Sequence, residues 1–181
     1  MDTGPLLSAL ILDYVRNSPR PRRDSILANS RIASYLSGDE TLQRCFLRLF
    51  DTLQTILTTS NVIGEIQGLQ TLKGHYQREF WLGGIRLLRQ KRLDEKLLRI
   101  LDMELDDTNR ELMQVLGPTD TGLLQLAKNE GCYLLTDDNA LRSQARQEGI
   151  DCRLAIEMLR EVAFVSWLTE QSGFYPDDLL I

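Results

Sequence analysis

The stretch "CYLLTDDNALRSQARQEGIDCRL", residues 132–154, constrains the fold more than any other part of the chain. "CYLLT" reads as a buried strand, "NALRSQARQEG" as a helix ended by Gly149, and "IDCRL" as a second strand. Strand, helix and strand in that order imply a right-handed crossover joining two parallel strands. The expected fold is therefore α/β, with a parallel sheet flanked by helices.

The rest of the chain has to supply the other layers. "PLLSALILDYV" has the apolar density of a buried helix. "NSPRPRRDS", Asn17 to Ser25, interrupts it, because two prolines forbid a continuous helix while three arginines gather there. Helical spacing resumes through "ILANSRIASYL" and "ETLQRCFLRLFDTL", which set Leu42, Phe46, Leu49, Phe50 and Leu53 on one face. In "TILTTSNVIGEI" β-branched residues cluster from Thr55 to Ile63, favouring a short strand that runs into a helix near Glu65. From Leu69 to Leu116 the pattern is helical and charged: Arg86, Arg89, Lys91, Arg92, Lys96 and Arg99 alternate with leucines. This is an amphipathic arm with a basic outer face, which is either a solvated support for the core or a surface for phosphates. "TDTGLLQLAKNEG" starts a further helix, with Thr119 and Asp120 as capping candidates and Gly131 as its stop. Residues 155–170 look helical, and "FYPDDLLI" is a tail.

With 181 residues and 43% hydrophobic content, the chain suits one compact domain with an appended arm or tail. We expect this domain over residues 1–158, with helical insertions at about 14–55 and 68–116, and a C-terminal helix and tail over 159–181. Against 21 basic residues stand 26 acidic ones, which argues against wholesale coating of nucleic acid but leaves room for a local basic face. Cys45, Cys132 and Cys152 contain no CxxC pair, and His75 is the single histidine, so a zinc site is not expected and free thiols in a reducing cytoplasm are. No apolar stretch approaches the ~20 residues of a membrane span, and the first residues lack the basic start of a signal peptide.

Against that frame five acids stand out. Asp2 lies in "MDTGPLL", Glu65 in "SNVIGEI", Asp120 in "GPTDTGLLQLA", and Asp137 and Asp138 in "LLTDDNALR". Each falls at an expected strand end or helix start, positions that a parallel α/β sheet brings to the crevice beyond its carboxyl edge. Carboxylates gathered there repel one another. A divalent cation removes that penalty, and Mg²⁺ or Mn²⁺ prefers such hard oxygen ligands while keeping several waters. So held, it activates water and steadies the charge on a phosphodiester. Singly, each acid has an ordinary explanation: Asp2 as a terminal surface acid, Glu65 as a first-turn helix residue, Asp120 and the Asp137–Asp138 pair as helix caps. One shared site explains them together.

In this order the stretches resemble the PIN-domain family of metal-dependent nucleases, over roughly Asp2 to Leu154. "DTGPLL" looks like the first acidic motif, "TTSNVIGEI" like the strand–helix element with its glutamate, and "PTDTGLLQLAKNEGCYLLTDDNALRSQARQEGID" like the final block. The resemblance implies a three-layer sandwich around a central parallel sheet. It also implies Asp2, Glu65, Asp120 and Asp138 as the catalytic, metal-holding acids, with Asp137 as neighbour or auxiliary ligand. Thr136 and Ser60 become polar supports. The interval from Asp2 to Glu65 is long for compact members of the family, which places an insertion around "RPRR". The family also sets an apolar strand immediately before the first acid, where this sequence has Met1. Either translation starts upstream, or the first strand is truncated and Asp2 poorly anchored.

The implied activity is Mg²⁺- or Mn²⁺-dependent cleavage of RNA, with Arg20, Arg22, Arg23, Arg86 and Arg89 as phosphate contacts and toxin–antitoxin pairing as one role of family members. The alternative is a non-catalytic scaffold of the same architecture that binds a protein or RNA. A phosphohydrolase with Asp2 as nucleophile ranks low, since Gly4 stands where that chemistry wants a second Asp. The tail's Phe164, Trp167, Leu168, Phe174 and Tyr175 either pack back on their own domain or join two copies in a homodimer.

Overall fold

The computed structural model describes residues 1–16, 18–53, 55–68, 78, 80, 98–101 and 109–172. The basic arm with Arg86 and Arg89 and the tail residues Phe174 and Tyr175 lie outside the described residues. Helix α1 (Thr3–Val15) is the centre of the molecule. It is apolar on nearly every side, as a helix must be when neighbours surround it. Its Leu6, Leu10, Ile11 and Leu12 are fully buried against α3 (Glu40–Thr52), α4 (Ser60–Gly68) and β3 (Leu134–Thr136). α3 is amphipathic, capped by Asp39, whose carboxylate accepts from the amides of Thr41 and Leu42 at 2.9 Å, and it buries Cys45, Phe46, Leu49 and Phe50.

The architecture is mixed α/β, mostly helical, with short parallel strands. β1 (Ile56–Thr58) pairs in parallel with β2 (Leu98–Ile100), and β3 pairs in parallel with β4 (Cys152–Leu154) around α6 (Asn139–Gln147). The expected strand–helix–strand unit of the last third is therefore present, with Leu134 opposite Cys152 and Thr136 opposite Leu154. α7 (Ala155–Ser172) follows β4 directly, packs on α3, and continues through residues 158 and 159 with Leu159 fully buried.

No continuous central sheet forms among the described residues: the strands make two separate pairs. Between them lie Met1 and Asp2. The α-amino group of Met1 donates to Leu57 O, Thr58 Oγ1 donates to Met1 O at 3.0 Å, and the Asp2 amide donates to Leu135 O at 3.0 Å. Met1 and Asp2 thus link β1 to β3 by hydrogen bonds without themselves forming a strand. The poor anchoring expected of Asp2 is not found, because its neighbours on both sides supply the missing partners.

The segment between α1 and α3 also departs from the expected run of helix. α2 (Arg20–Ala28) stops early, as Asn29 Nδ2 donates to Ser25 O at 2.8 Å and Ser30 Oγ to Leu27 O at 2.9 Å, local bonds that compete with helix continuation. A single 3₁₀ turn, η1 (Ser34–Leu36), then leads to α3 through Gly38, whose φ of 80° needs a glycine.

Candidate functional site

Asp2, Glu65, Asp120, Asp137 and Asp138, scattered over the sequence, all line one open cavity of about 450 Å³ together with Thr3, Gly4 and residues 116–119. Different elements deliver them. Asp2 is the cap of α1 and Asp138 the cap of α6, its Oδ1 accepting from the amides of Ala140 and Leu141. Glu65 comes from the second turn of α4, which Thr59 caps by accepting from the Val62 amide at 3.4 Å.

Asp120 arrives by a less ordinary route. Helix α5 (Arg110–Glu130) is two helices joined at Gly117, whose φ of 82° and ψ of 169° are non-helical. Pro118 opens the second limb, where a missing N–H costs nothing. Thr121 Oγ1 closes its first turn by donating to Gly117 O at 2.7 Å. Asp120 lies three residues past the break, inside the limb's first turn, and its carboxylate accepts no hydrogen bond from the described residues. Its expected role as a helix cap is not realised.

The site's polar supports are specific. Asp2 is buried, with Oδ1 accepting from the Thr3 amide and Oδ2 from Thr136 Oγ1, so Thr136 acts as the sequence suggested. Thr3 Oγ1 donates to Glu65 Oε2 at 2.7 Å, tying the first acid to the second. Thr3 was legible only as part of "DTG", because a hydroxyl 62 residues away from its partner leaves no local signature. Asp137 accepts from Tyr35 Oη at 2.9 Å, another contact that spacing could not announce.

Electrostatically the cavity is under strain. Burial, followed by the charges of Asp2, Asp138 and Glu65, pushes the Asp120 pKa up to about 7. Asp137 rises to about 6 through burial, against the Tyr35 hydrogen bond. Asp2 is also raised, by burial, with Thr136 and Thr3 opposing. Among the described residues no lysine or arginine lines the cavity. What offsets the repulsion is the positive ends of α1, the 118–130 limb and α6, all of which open onto it. No three of the described His, Cys, Asp or Glu side chains stand close enough to clasp a metal ion directly.

The raised pKa values set a pH dependence. Asp120 holds its proton up to about 7 when folded but only to 3.8 by its ordinary value, so between these limits the folded state binds more protons. Stability must then fall as pH rises through that window. The metal-free protein is expected to melt at a higher temperature near pH 5.5 than near pH 7.5, roughly the two sides of the Asp120 transition. Scanning fluorimetry in chelator-treated buffer checks this; a melting temperature that rises with pH over the range would contradict the crowding of these acids.

The arginines expected to meet phosphates are engaged elsewhere. Arg23 binds Glu40 Oε1 at 2.7 Å, Arg20 lies 3.5 Å from the same oxygen and 3.7 Å from Asp24, and neither they nor Arg22 line the cavity. None of the described helices is long and apolar enough to cross a membrane. Comparison with protein-family models, curated proteins and solved structures finds no match to this chain.

Proposed function

We propose that this chain is a Mg²⁺- or Mn²⁺-dependent endoribonuclease with a PIN-like three-layer arrangement, in which Met1 and Asp2 stand in for the central strand between the β1–β2 and β3–β4 pairs. The observation that carries the reading is Asp120: a carboxylate that accepts no hydrogen bond from the described residues, crowded by Asp2, Glu65 and Asp138. A group of acids is a poor phosphate site on its own and a good one for a cation that then meets phosphate.

In this reading Asp120 offers both oxygens, while Glu65 Oε1 and Asp138 Oδ2 are the oxygens not used by Thr3 and by the α6 cap. Asp2 is oriented by Thr136 and Thr3. Bound there, a divalent cation supplies water activation and charge neutralisation at the phosphodiester. The chain's own contribution is to hold four carboxylates in place, at the cost of raised pKa values for Asp2 and Asp120, and to aim three helix N-termini at the region where phosphate charge would sit.

The wide spacing of the acids favours a second reading, a non-catalytic scaffold of the same architecture binding RNA or protein. Mn²⁺ titration followed by electron paramagnetic resonance separates the two. The nuclease reading expects saturable binding and cleavage of labelled single-stranded RNA that stops on chelation. Failure to bind Mn²⁺ at millimolar concentration would leave the scaffold.

A further inference from the structure

Tyr35 belongs to the segment between α2 and α3, far from the acids in sequence and held more firmly than a connecting loop. The Ala33 amide donates to Ser8 Oγ on α1 at 3.2 Å, and Gln43 Nε2 on α3 donates to Leu36 O at 2.8 Å. Leu36 is fully buried in the core, and Ser8 and Gln43 are buried with it. Three attachments within four residues thus clamp η1 between two core helices. The clamp presents the Tyr35 hydroxyl to Asp137 Oδ1, across 102 residues of sequence.

Asp137 is confined on its other side as well. Its Oδ2 is buried without a hydrogen-bond partner, and a Cβ placed on Gly4 would stand 3.0 Å from that oxygen. The first turn of α1 therefore closes over the carboxylate, and only glycine permits so close an approach. Burial and the adjacent Asp137 charge raise the Tyr35 pKa well above the ordinary phenol, so it remains a donor at any working pH.

Asp137 sits between two residues that matter to the cavity. Thr136 orients Asp2, and the Asp138 amide donates to Thr136 Oγ1 at 2.9 Å while its side chain caps α6. A carboxylate pinned by Tyr35 and walled by Gly4 fixes the rotation of the chain at this strand end, and so the direction of its neighbours. We infer that Tyr35 is a positioning residue for the acidic cavity, acting through Asp137 to hold the Thr136–Asp138 strand end in register with Asp2. The inference rests on the reading of the cavity as a divalent-cation site.

Tyr35→Phe keeps the ring in its packing and deletes only the donor. Expected are a Mn²⁺ affinity weakened about tenfold, in the range seen when a group supporting metal ligands is lost, a lower kcat, and an unchanged KM for RNA. The same change made in an Asp137→Ala background should have no further effect, because the acceptor of the Tyr35 hydroxyl is already gone; a double-mutant cycle reads this coupling. Parental Mn²⁺ affinity in Tyr35→Phe would overturn the inference alone. So would equal losses in both backgrounds, which would mean that Tyr35 acts through general packing. A parental protein that binds no Mn²⁺ would overturn the cation-site reading, and this inference with it.

Discussion

An Asp120→Asn variant is expected to lose metal-dependent RNA cleavage by on the order of 10²–10³-fold, the scale of removing one preorganised charge-stabilising group, while its metal-free form melts above the parent. Asn has nearly the shape of Asp, so packing around the first turn of the 118–130 limb is preserved. Nor is a cap lost, since Asp120 lies inside the first turn and accepts no hydrogen bond from the described residues. What disappears is one negative charge, which burial first and the charges of Asp2, Asp138 and Glu65 after it disfavour, raising the Asp120 pKa to about 7. The gain in melting temperature should therefore be largest above pH 7, where the parental carboxyl is ionised, and should shrink on acidification as the parent takes up its proton. Cleavage moves the other way because a neutral amide is a poorer ligand for a hard dication. Parental cleavage rates at limiting Mn²⁺ would remove Asp120 from the site.

Parts of this arrangement were open to reading and parts were not. The β3–α6–β4 unit was legible because apolar runs, a helical period and terminal glycines coincide over residues 132–154. The buried character of α1 was legible for the same reason. The helix expected across "ILANSRIASYL" failed where Asn29 and Ser30 turn their side chains back on the backbone and tertiary contacts take over at Ala33 and Leu36. Local propensity could not foresee those partners.

The acids divide in the same way. Their positions at strand ends and helix starts placed all five around one cavity, which is a consequence of parallel topology. Their individual states were not legible. Asp138 does act as a cap with one oxygen, whereas Asp120, in a similar sequence context, does not. The difference lies in Gly117 and Thr121, which together set where the limb starts. Met1 and Asp2 are held by four long-range partners, Leu57, Thr58, Leu135 and Thr136, which no local pattern announces. On α2, Arg23 and Arg20 pair with Glu40 and Asp24, partners that the spacing of the arginines alone does not announce.

Two glycines five residues apart should respond to alanine in opposite directions. Gly117 adopts φ 82° and ψ 169°, a region that side-chain-bearing residues all but avoid. Nothing stands within 4 Å of a Cβ built there, so the penalty is purely backbone strain. Gly117→Ala should cost about 1–3 kcal/mol, or roughly 2–12 °C in melting temperature for a chain of this length. If the strain is relieved by turning the limb, Asp120 leaves its three neighbours, and Mn²⁺ affinity falls as well. Gly122 lies inside the same limb, with Thr59 Cγ2 at 3.8 Å from a built Cβ, an ordinary contact. Gly122→Ala should therefore stabilise the protein by up to about 1 kcal/mol, because alanine loses less freedom in a helix and adds a buried methyl. Neither substitution changes charge, so the pair isolates how the limb is aimed from what Asp120 carries. Gly117→Ala with unaltered melting and metal affinity would mean that the break between the two limbs does not set the direction of Asp120. A destabilised Gly122→Ala would mean that the 118–130 limb packs more tightly on α4 than the 3.8 Å contact indicates.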